Sequence, residues 1–462
     1  MDGPSLNADL FGINTRDHLE FRGLDLTDLA EKYGTPLFIY DEMKIRENYR
    51  LFHETFRRYY PDVLIYYSCK ASYNLALCRI LQQEGAHAQV MSGLDLYVAR
   101  RAGFPPESIV FDGPSKTDME LYEAVKQGVR LVNVESLSEL ERLNSIAGKL
   151  GVKQSIGIRL NFSRPPNNIF RRVIEGATSY HNSKYGFPRE DANLACTHAL
   201  SMSNLQLEGL MTHPYQGAAG PLAALAGRIF NQFKLPVRYL NLGGGFSVPH
   251  VKSIGFLDLL EDNLKGKIGL GSSLDEQKTN DLNEVAKSTI DELKSELQKY
   301  SLPMPVLAFE PGRFMVGSAG VLLLRVLDLK PSPYGGKWVL VDGTTSIFVA
   351  GYNERHRILV ANRAGAKPVE CVNIAGPLHG DLIAVKQFLP RVDRGDILAI
   401  LDTGAYNLAM SRQYLHPRPC VLLVTVDGNV SVIRDRETRE DVLRLDRDIS
   451  ERTKLTSSES PS

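Results

Sequence analysis

The sequence predicts an α/β protein with a (β/α)8 TIM-type barrel and a second, mainly antiparallel β domain. Two observations predict the barrel: short apolar runs recur up to residue 310, and stretches with helical spacing separate them. A third observation predicts the β domain, because the strand-like runs after Arg313 follow one another without helices between them.

The expected barrel strands are eight apolar runs at residues 64–70, 88–92, 109–112, 131–135, 155–161, 207–213, 239–243 and 306–310. The stretch 116–127 illustrates the helices between them, since Leu121, Ala124 and Val125 share one helical face. Parallel barrels carry their chemistry at the carboxyl ends of the strands, so the residues there are the first candidates for function.

The second domain is expected to contain strands at residues 320–329, 337–342, 396–401, 421–426 and 430–434. The chain therefore divides into a barrel over residues 36–312 and a β domain formed by residues 1–35 together with 313–450. The polar stretch 251–282 is interpreted as an insertion or mobile loop. The Ser-rich tail, residues 451–462, is expected to be disordered.

Composition argues against several classes of function. The 54 Lys and Arg residues balance 54 Asp and Glu residues, which gives no indication of a nucleic-acid partner. No apolar run is long enough to span a bilayer, and no signal peptide is evident. The five cysteines lack CxxC spacing, so neither a metal site nor a disulfide framework is expected. A cytoplasmic location fits these features best.

Lys70 ends an apolar strand. A charged amine is costly to bury, so desolvation lowers its pKa, and the neutral amine can form a Schiff base with an aldehyde. Taken alone, a lysine that reaches solvent from the end of a strand is the commoner case. Gly243, Gly244 and Gly245 follow another strand and let the backbone approach an anion such as phosphate. A tight turn explains the same glycines.

The eighth strand closes with Glu310, Pro311, Gly312 and Arg313. Glu310 at this position could keep a pyridine nitrogen protonated, and Arg313 could contact a phosphate or a substrate carboxylate. The alternative is a surface Glu–Arg pair. His213, at another strand end, either stacks on an aromatic ring or is structural.

Taken together in the order in which they occur along the chain, these motifs resemble those of the fold-type III, pyridoxal-phosphate-dependent decarboxylases. The resemblance is strongest to diaminopimelate decarboxylases, with ornithine decarboxylases as relatives. Lys70, His213, the glycine run, the Glu-Pro-Gly-Arg motif and the Gly-Ala-Tyr motif that ends at Tyr406 carry the resemblance. It spans about residues 34–441 and also includes the stretches 183–187, 417–419 and 433–438.

The resemblance implies a role for each of these residues. Lys70 would hold pyridoxal 5'-phosphate as a Schiff base, His213 would stack on the ring, and Glu310 would pair with the ring nitrogen. The phosphate would be surrounded by Gly243, Gly244, Gly245, Gly312, Arg313 and Tyr406. It further implies an amino-acid substrate and a homodimer with shared active sites, in which Tyr406 lies near the interface.

The chain departs from the family mainly on the substrate side. His379, within residues 376–381, stands where the family has a cysteine that the partner subunit contributes as proton donor, and a histidine can also donate a proton. Residues 342–352 contain no arginine for a distal carboxylate, although Arg355 and Arg357 lie just beyond. Gln89 replaces the usual aspartate. We therefore expect a decarboxylase for an amino acid or derivative other than meso-diaminopimelate.

Three alternatives stay open at this point. The chain could be a diaminopimelate decarboxylase proper, an amino-acid racemase, or a catalytically silent regulator of a decarboxylase. Retention of Lys70 favours an enzyme, whereas loss of the cysteine favours the silent regulator.

Overall fold

The computed structural model describes residues 9–162, 184–235, 237–248, 251–253, 281–332, 336–349 and 354–447. Eight parallel strands form a closed barrel: β1 (Val63–Ser68), β2 (His87–Val90), β3 (Ile109–Phe111), β4 (Leu131–Val134), β5 (Gln154–Asn161), β6 (Leu205–Thr212), β7 (Tyr239–Asn241) and β8 (Val306–Phe309). Strand β8 pairs with β1 and closes the ring. All eight coincide with the predicted runs to within a few residues, so the predicted barrel is confirmed.

Helices precede or separate these strands, at Glu42–Tyr59, Leu75–Gln83, Gly93–Ala102, Asp118–Gln127, Leu137–Leu150, Ala192–Ser201, Ala219–Phe233 and Leu282–Lys299. Helix Asp118–Gln127 shows why they form. Thr117 and Glu120 make a capping box at its start, and Gly128, with φ of 75°, ends it. Its predicted inner face is buried in the core. No helix in the described residues is long and apolar enough to cross a membrane.

The second domain is a mainly antiparallel sheet with strands Leu37–Asp41, Gly320–Pro331, Lys337–Val341, Ile358–Val360, Glu370–Ala375, Leu382–Leu389, Ile397–Ile400, Cys420–Val424 and Val430–Arg434. The long strand Gly320–Pro331 organises it by pairing antiparallel with three of the others. This confirms the predicted architecture, although two of its strand pairs are parallel.

Several short elements complete the two domains. They are the strands Phe187–Pro188, Lys252–Ser253 and Glu354–Arg355, the 3-10 turns Cys69–Ala71, Pro106–Ser108, Arg189–Asp191, Gly317–Ala319 and Ala361–Arg363, and the helices Arg313–Val316, Asn407–Met410 and Arg439–Leu443. Glu354–Arg355 pairs with Lys252–Ser253. The stretch between residues 253 and 281, where we predict an insertion, lies outside the described residues, as does the predicted disordered tail.

The N-terminal segment forms strands Phe11–Ile13, Leu19–Phe21 and Leu24–Asp25, followed by helix Leu26–Tyr33. Its apolar side chains share one core with Val321 and Leu323 of the β domain. Leu37–Asp41 also pairs within that domain's sheet, because its run of five buried residues needs cover on both faces. The barrel therefore begins after Asp41 and not at residue 36. The other domain bounds stay a prediction.

Candidate active site

Lys70 lies at the mouth of the barrel, in the turn Cys69–Ala71 that follows β1. Its Nζ donates to Met91 Sδ at 3.1 Å. The side chain is open to solvent in the mouth, but surrounding protein atoms remove part of its hydration. This desolvation lowers the pKa of Lys70, whereas the charges of Glu310 and Asp112 oppose the shift. A lowered pKa increases the fraction of the neutral amine, which is the form that attacks an aldehyde.

His213 follows β6 and contacts the glycine run (residues 243–245) after β7. The Gly244 N–H donates to His213 Nδ1 at 3.0 Å, so Nδ1 carries no hydrogen and the neutral ring carries it on Nε2. Desolvation, together with the charges of Lys70 and Arg159, lowers the pKa of His213 to about 4. The ring is therefore uncharged at neutral pH, which suits stacking against an aromatic ring.

The glycine run allows a close approach of backbone segments. A Cβ on Gly243 would lie 2.6 Å from the backbone carbonyl oxygen of Thr212. A Cβ on Gly244 would lie 2.5 Å from the backbone carbonyl oxygen of Glu310. Gly243 also has φ of 68°. The sequence suggested that the run offers several N–H groups to an anion. In the structure, the Gly243 N–H donates to Asn241 Oδ1 and the Gly244 N–H donates to His213, so these two amides already have internal acceptors.

Glu310 ends β8 as a buried carboxyl group, only 5% exposed. Asn241 Nδ2 donates to Glu310 Oε1 at 2.6 Å. Burial raises the pKa of Glu310 well above its usual range, and the nearby carboxylate of Asp112 raises it further. Burial and Asp112 therefore both favour the protonated form of Glu310. A pyridine nitrogen is a group that can accept this proton.

A hydrogen-bonded network below this carboxyl group was not predicted. Ser68 Oγ donates to Gln89 Oε1 at 2.6 Å, and Gln89 Nε2 donates to Asp112 Oδ2 at 3.0 Å. Asn133 Nδ2 donates to Asp112 Oδ1 at 2.6 Å. The signal was present in the sequence as polar residues inside apolar strands, with Asn241 the clearest case, because a fully buried amide needs partners.

Arg159 is a second feature that sequence reasoning missed. Its Nη1 lies 3.0 Å from Glu135 Oε1, and its guanidinium lies 4.6 Å from the ring centroid of Tyr185. Glu135 also accepts a hydrogen bond from the Gly186 N–H at 2.8 Å. Glu135 and Arg159 thus hold the segment that begins at residue 184. The charge of Arg159 also acts on Lys70.

Gly312 and Tyr406 lie against the Lys70 turn. A Cβ on Gly312 would lie 2.9 Å from the Ala71 Cβ, so only glycine allows this contact. The Tyr406 N–H donates to the Ala71 oxygen at 2.7 Å. One chain therefore brings together Lys70, the end of β8 and the Gly-Ala-Tyr motif.

Comparison with known proteins decides the family. Residues 43–317 match the family described as "Pyridoxal-dependent decarboxylase, pyridoxal binding domain". The chain belongs to this family. It is therefore a pyridoxal-phosphate-dependent amino-acid carboxy-lyase, and the decarboxylases among its relatives favour this activity over a racemase.

Three relatives illustrate the match. The chain is 34% identical over 444 residues to a diaminopimelate decarboxylase of Methanothermobacter thermautotrophicus, covering 94% of this chain and 96% of that protein. It is 33% identical over 454 residues to one of Aquifex aeolicus, covering 94% and 98%. The solved structure of a diaminopimelate decarboxylase from M. jannaschii with L-lysine superposes with a TM-score of 0.79 at 29% identity, covering 96% and 99%.

The decarboxylase's Arg313 differs from expectation. The sequence suggested that it contacts a phosphate or a substrate carboxylate. In the structure both ends of its guanidinium bind Glu354: Nη1 donates to Oε2 at 2.7 Å, and Nη2 donates to Oε1. The guanidinium also lies 4.9 Å from the ring centroid of Tyr406. Arg313 is thus at the expected place but already has an anionic partner.

His379 of the decarboxylase lies exposed on the turn between strands Glu370–Ala375 and Leu382–Leu389. Asp381 builds this turn: its carbonyl accepts from the Gly376 N–H at 3.0 Å, and its buried carboxylate accepts from the Thr345 N–H at 2.5 Å. Within the described part of a single chain, no hydrogen bond joins His379 to the Lys70 cluster. The turn therefore presents His379 outward from the β domain.

Proposed function

We propose that the enzyme decarboxylates an amino acid other than meso-diaminopimelate, with Lys70 as the residue that holds pyridoxal phosphate. One observation carries the proposal: Lys70, His213, Glu310 and the glycine run converge at the barrel mouth, whereas the substrate side departs from the family. Residues 342–352 contain no arginine, and His379 stands at the cysteine position.

The chain's residues fit the cofactor and divide its handling between them. When bound, pyridoxal phosphate supplies an electron sink for the charge left at Cα after CO2 leaves. The lowered pKa of Lys70 favours the neutral amine that bonds to the aldehyde. The uncharged imidazole of His213 would stack against the ring. Glu310 would pair with the ring nitrogen, and the glycine run, with Gly312 and Tyr406, would surround the phosphate, while Arg313 would lie toward the substrate.

We propose His379 as the acid that returns a proton to Cα, and that it comes from the partner subunit of a homodimer. Its exposure on a turn fixed by Asp381 supports this role, since a rigid turn can place an imidazole in a neighbouring site. Tyr414 and Leu415, which follow the Gly-Ala-Tyr motif, are 63% and 58% exposed. Large exposed apolar side chains of this kind are typical of an interface.

Complementation between two inactive variants tests Lys70 and His379 together. Lys70→Ala and His379→Ala should each lose CO2 release, the first by roughly a thousandfold or more because the nucleophile is removed. A mixture exchanged through mild denaturation should regain about one quarter of wild-type activity, because half of the dimers then contain one intact site. His53→Ala, on the outer helix Glu42–Tyr59, serves as the control and should stay active.

Failure of the mixture to regain activity would contradict the shared site. Two other results address the alternatives. Racemisation of an amino acid without CO2 release would favour the racemase, and absence of cofactor binding would favour the silent regulator.

The cytoplasmic location remains a prediction.

A further inference from the structure

We propose that Glu354 excludes substrates with a second carboxylate by occupying the guanidinium of Arg313, so that the enzyme acts on monocarboxylic amino acids. This inference rests on the proposed function, because it assigns a substrate class to the same site.

The position of Arg313 makes it a candidate for reading the substrate. It lies three residues after Glu310, and Gly312 between them packs against Ala71, the neighbour of Lys70. Its guanidinium stacks on Tyr406, whose N–H binds the Ala71 oxygen. Two independent contacts thus hold Arg313 beside the Lys70 turn.

Glu354 is firmly held in its pairing with Arg313. The Glu354 side chain is 10% exposed and the Arg313 side chain 20% exposed. His356 Nε2 lies 3.4 Å from Glu354 Oε2, while His356 Nδ1 donates to the Leu401 oxygen at 2.8 Å. Burial alone would raise the pKa of Glu354, but the contacts with His356 and Arg313 lower it overall. The carboxylate is therefore ionised at neutral pH.

Glu354 occupies the Nη1–Nη2 edge of Arg313 and neutralises its charge, so a second carboxylate gains much less from this guanidinium than it would from a free one. A dicarboxylic substrate would have to displace Glu354 or bring a like charge beside it. Arg355 and Arg357, the two arginines that follow Glu354 in the sequence, already interact with other groups. Diaminopimelate carries a carboxylate at each end, whereas lysine lacks the second one. The pair of Arg313 and Glu354 thus disfavours diaminopimelate.

The test compares L-lysine with meso-diaminopimelate in the wild type, Glu354→Gln and Glu354→Asp. Glu84→Gln is the control, because Glu84 also accepts from an arginine, Arg50, through both of its carboxylate oxygens, but on the outside of the barrel. Two readouts are needed: kcat and KM from CO2 release, and the change in absorbance of the bound cofactor as amino acid is added. The second reports binding even without turnover.

We expect the wild type to discriminate against diaminopimelate in both readouts. Glu354→Gln should raise the preference for diaminopimelate over lysine by roughly tenfold or more, mainly through a lower KM for diaminopimelate, because a charge-assisted bond becomes available. Glu354→Asp, which keeps the charge, and Glu84→Gln should retain the wild-type ratio.

Two outcomes would overturn the inference. CO2 release from diaminopimelate with a ratio unchanged in Glu354→Gln would reject it while the decarboxylase stands. Failure of every amino acid to alter the absorbance or release CO2 would reject the proposed function and the inference with it.

Discussion

The two halves of this active site follow different rules. In the cofactor half, residues at strand ends of the barrel bond to residues on other strands, as Asn241 does to Glu310 and Gln89 to Asp112. In the substrate half, Arg313 bonds to Glu354 and His379 lies on a turn of the β domain. We therefore expect the barrel to carry the chemistry of the family and segments of the β domain to select the substrate class.

After the loss of Lys70, replacing Glu310 should give the largest effect in the cofactor half. Glu310→Gln keeps the shape but cannot hold a proton for the ring nitrogen, so kcat should fall by roughly a hundredfold or more. Steady-state CO2 release measures it. The control is Glu208→Gln, which removes a barrel-strand carboxylate that accepts from Ser155. A kcat within threefold of the wild type would show that Glu310 is not part of the chemistry.

Asn241→Leu should have a smaller effect, on stability. It leaves the Gly243 N–H without its acceptor and removes a donor from Glu310, all in buried positions. Each such buried group costs about 1–3 kcal/mol of folding free energy. Thermal unfolding should show a clear drop in melting temperature that the exposed-helix control Asn193→Leu does not show. Equal melting temperatures would mean that the network adds no stability.

His213 gives the smallest expected effect, in the pH dependence of stability. Its pKa is about 4 in the folded protein and near 6.5 unfolded, so the unfolded state takes up a proton first as the pH falls. The stability due to neutral His213 is complete above about pH 6.5 and is lost toward pH 4. The melting temperature of His213→Gln should therefore fall less over this range than that of the wild type. Parallel curves would contradict the lowered pKa.

Sequence reasoning succeeded where the signal was local. Apolar runs of the right length identified all eight barrel strands, and their places at strand ends made Lys70, His213 and Glu310 candidates for function. It missed strand Leu37–Asp41 as part of the β domain, because its partners lie about 280 and 380 residues away.

The same reason explains the missed partner of Arg313. Glu354 lies 41 residues further along the chain, and no periodicity or motif connects the two. The hydrogen bonds of Asn241 and Gln89 likewise depend on which strands become neighbours. Polar residues inside apolar strands indicated that partners were needed, but only the closed barrel shows which groups these are.

The most direct test of the account is a panel of amino acids offered to the enzyme reconstituted with pyridoxal phosphate. The panel includes meso-diaminopimelate, lysine, ornithine, arginine, glutamate and neutral amino acids in both L and D forms. Lys70→Ala is the negative control, and Lys287→Ala on an outer helix is the matched lysine control. We predict CO2 release from a monocarboxylic amino acid that only Lys70→Ala abolishes. Preferred release from meso-diaminopimelate would contradict the account of the substrate half.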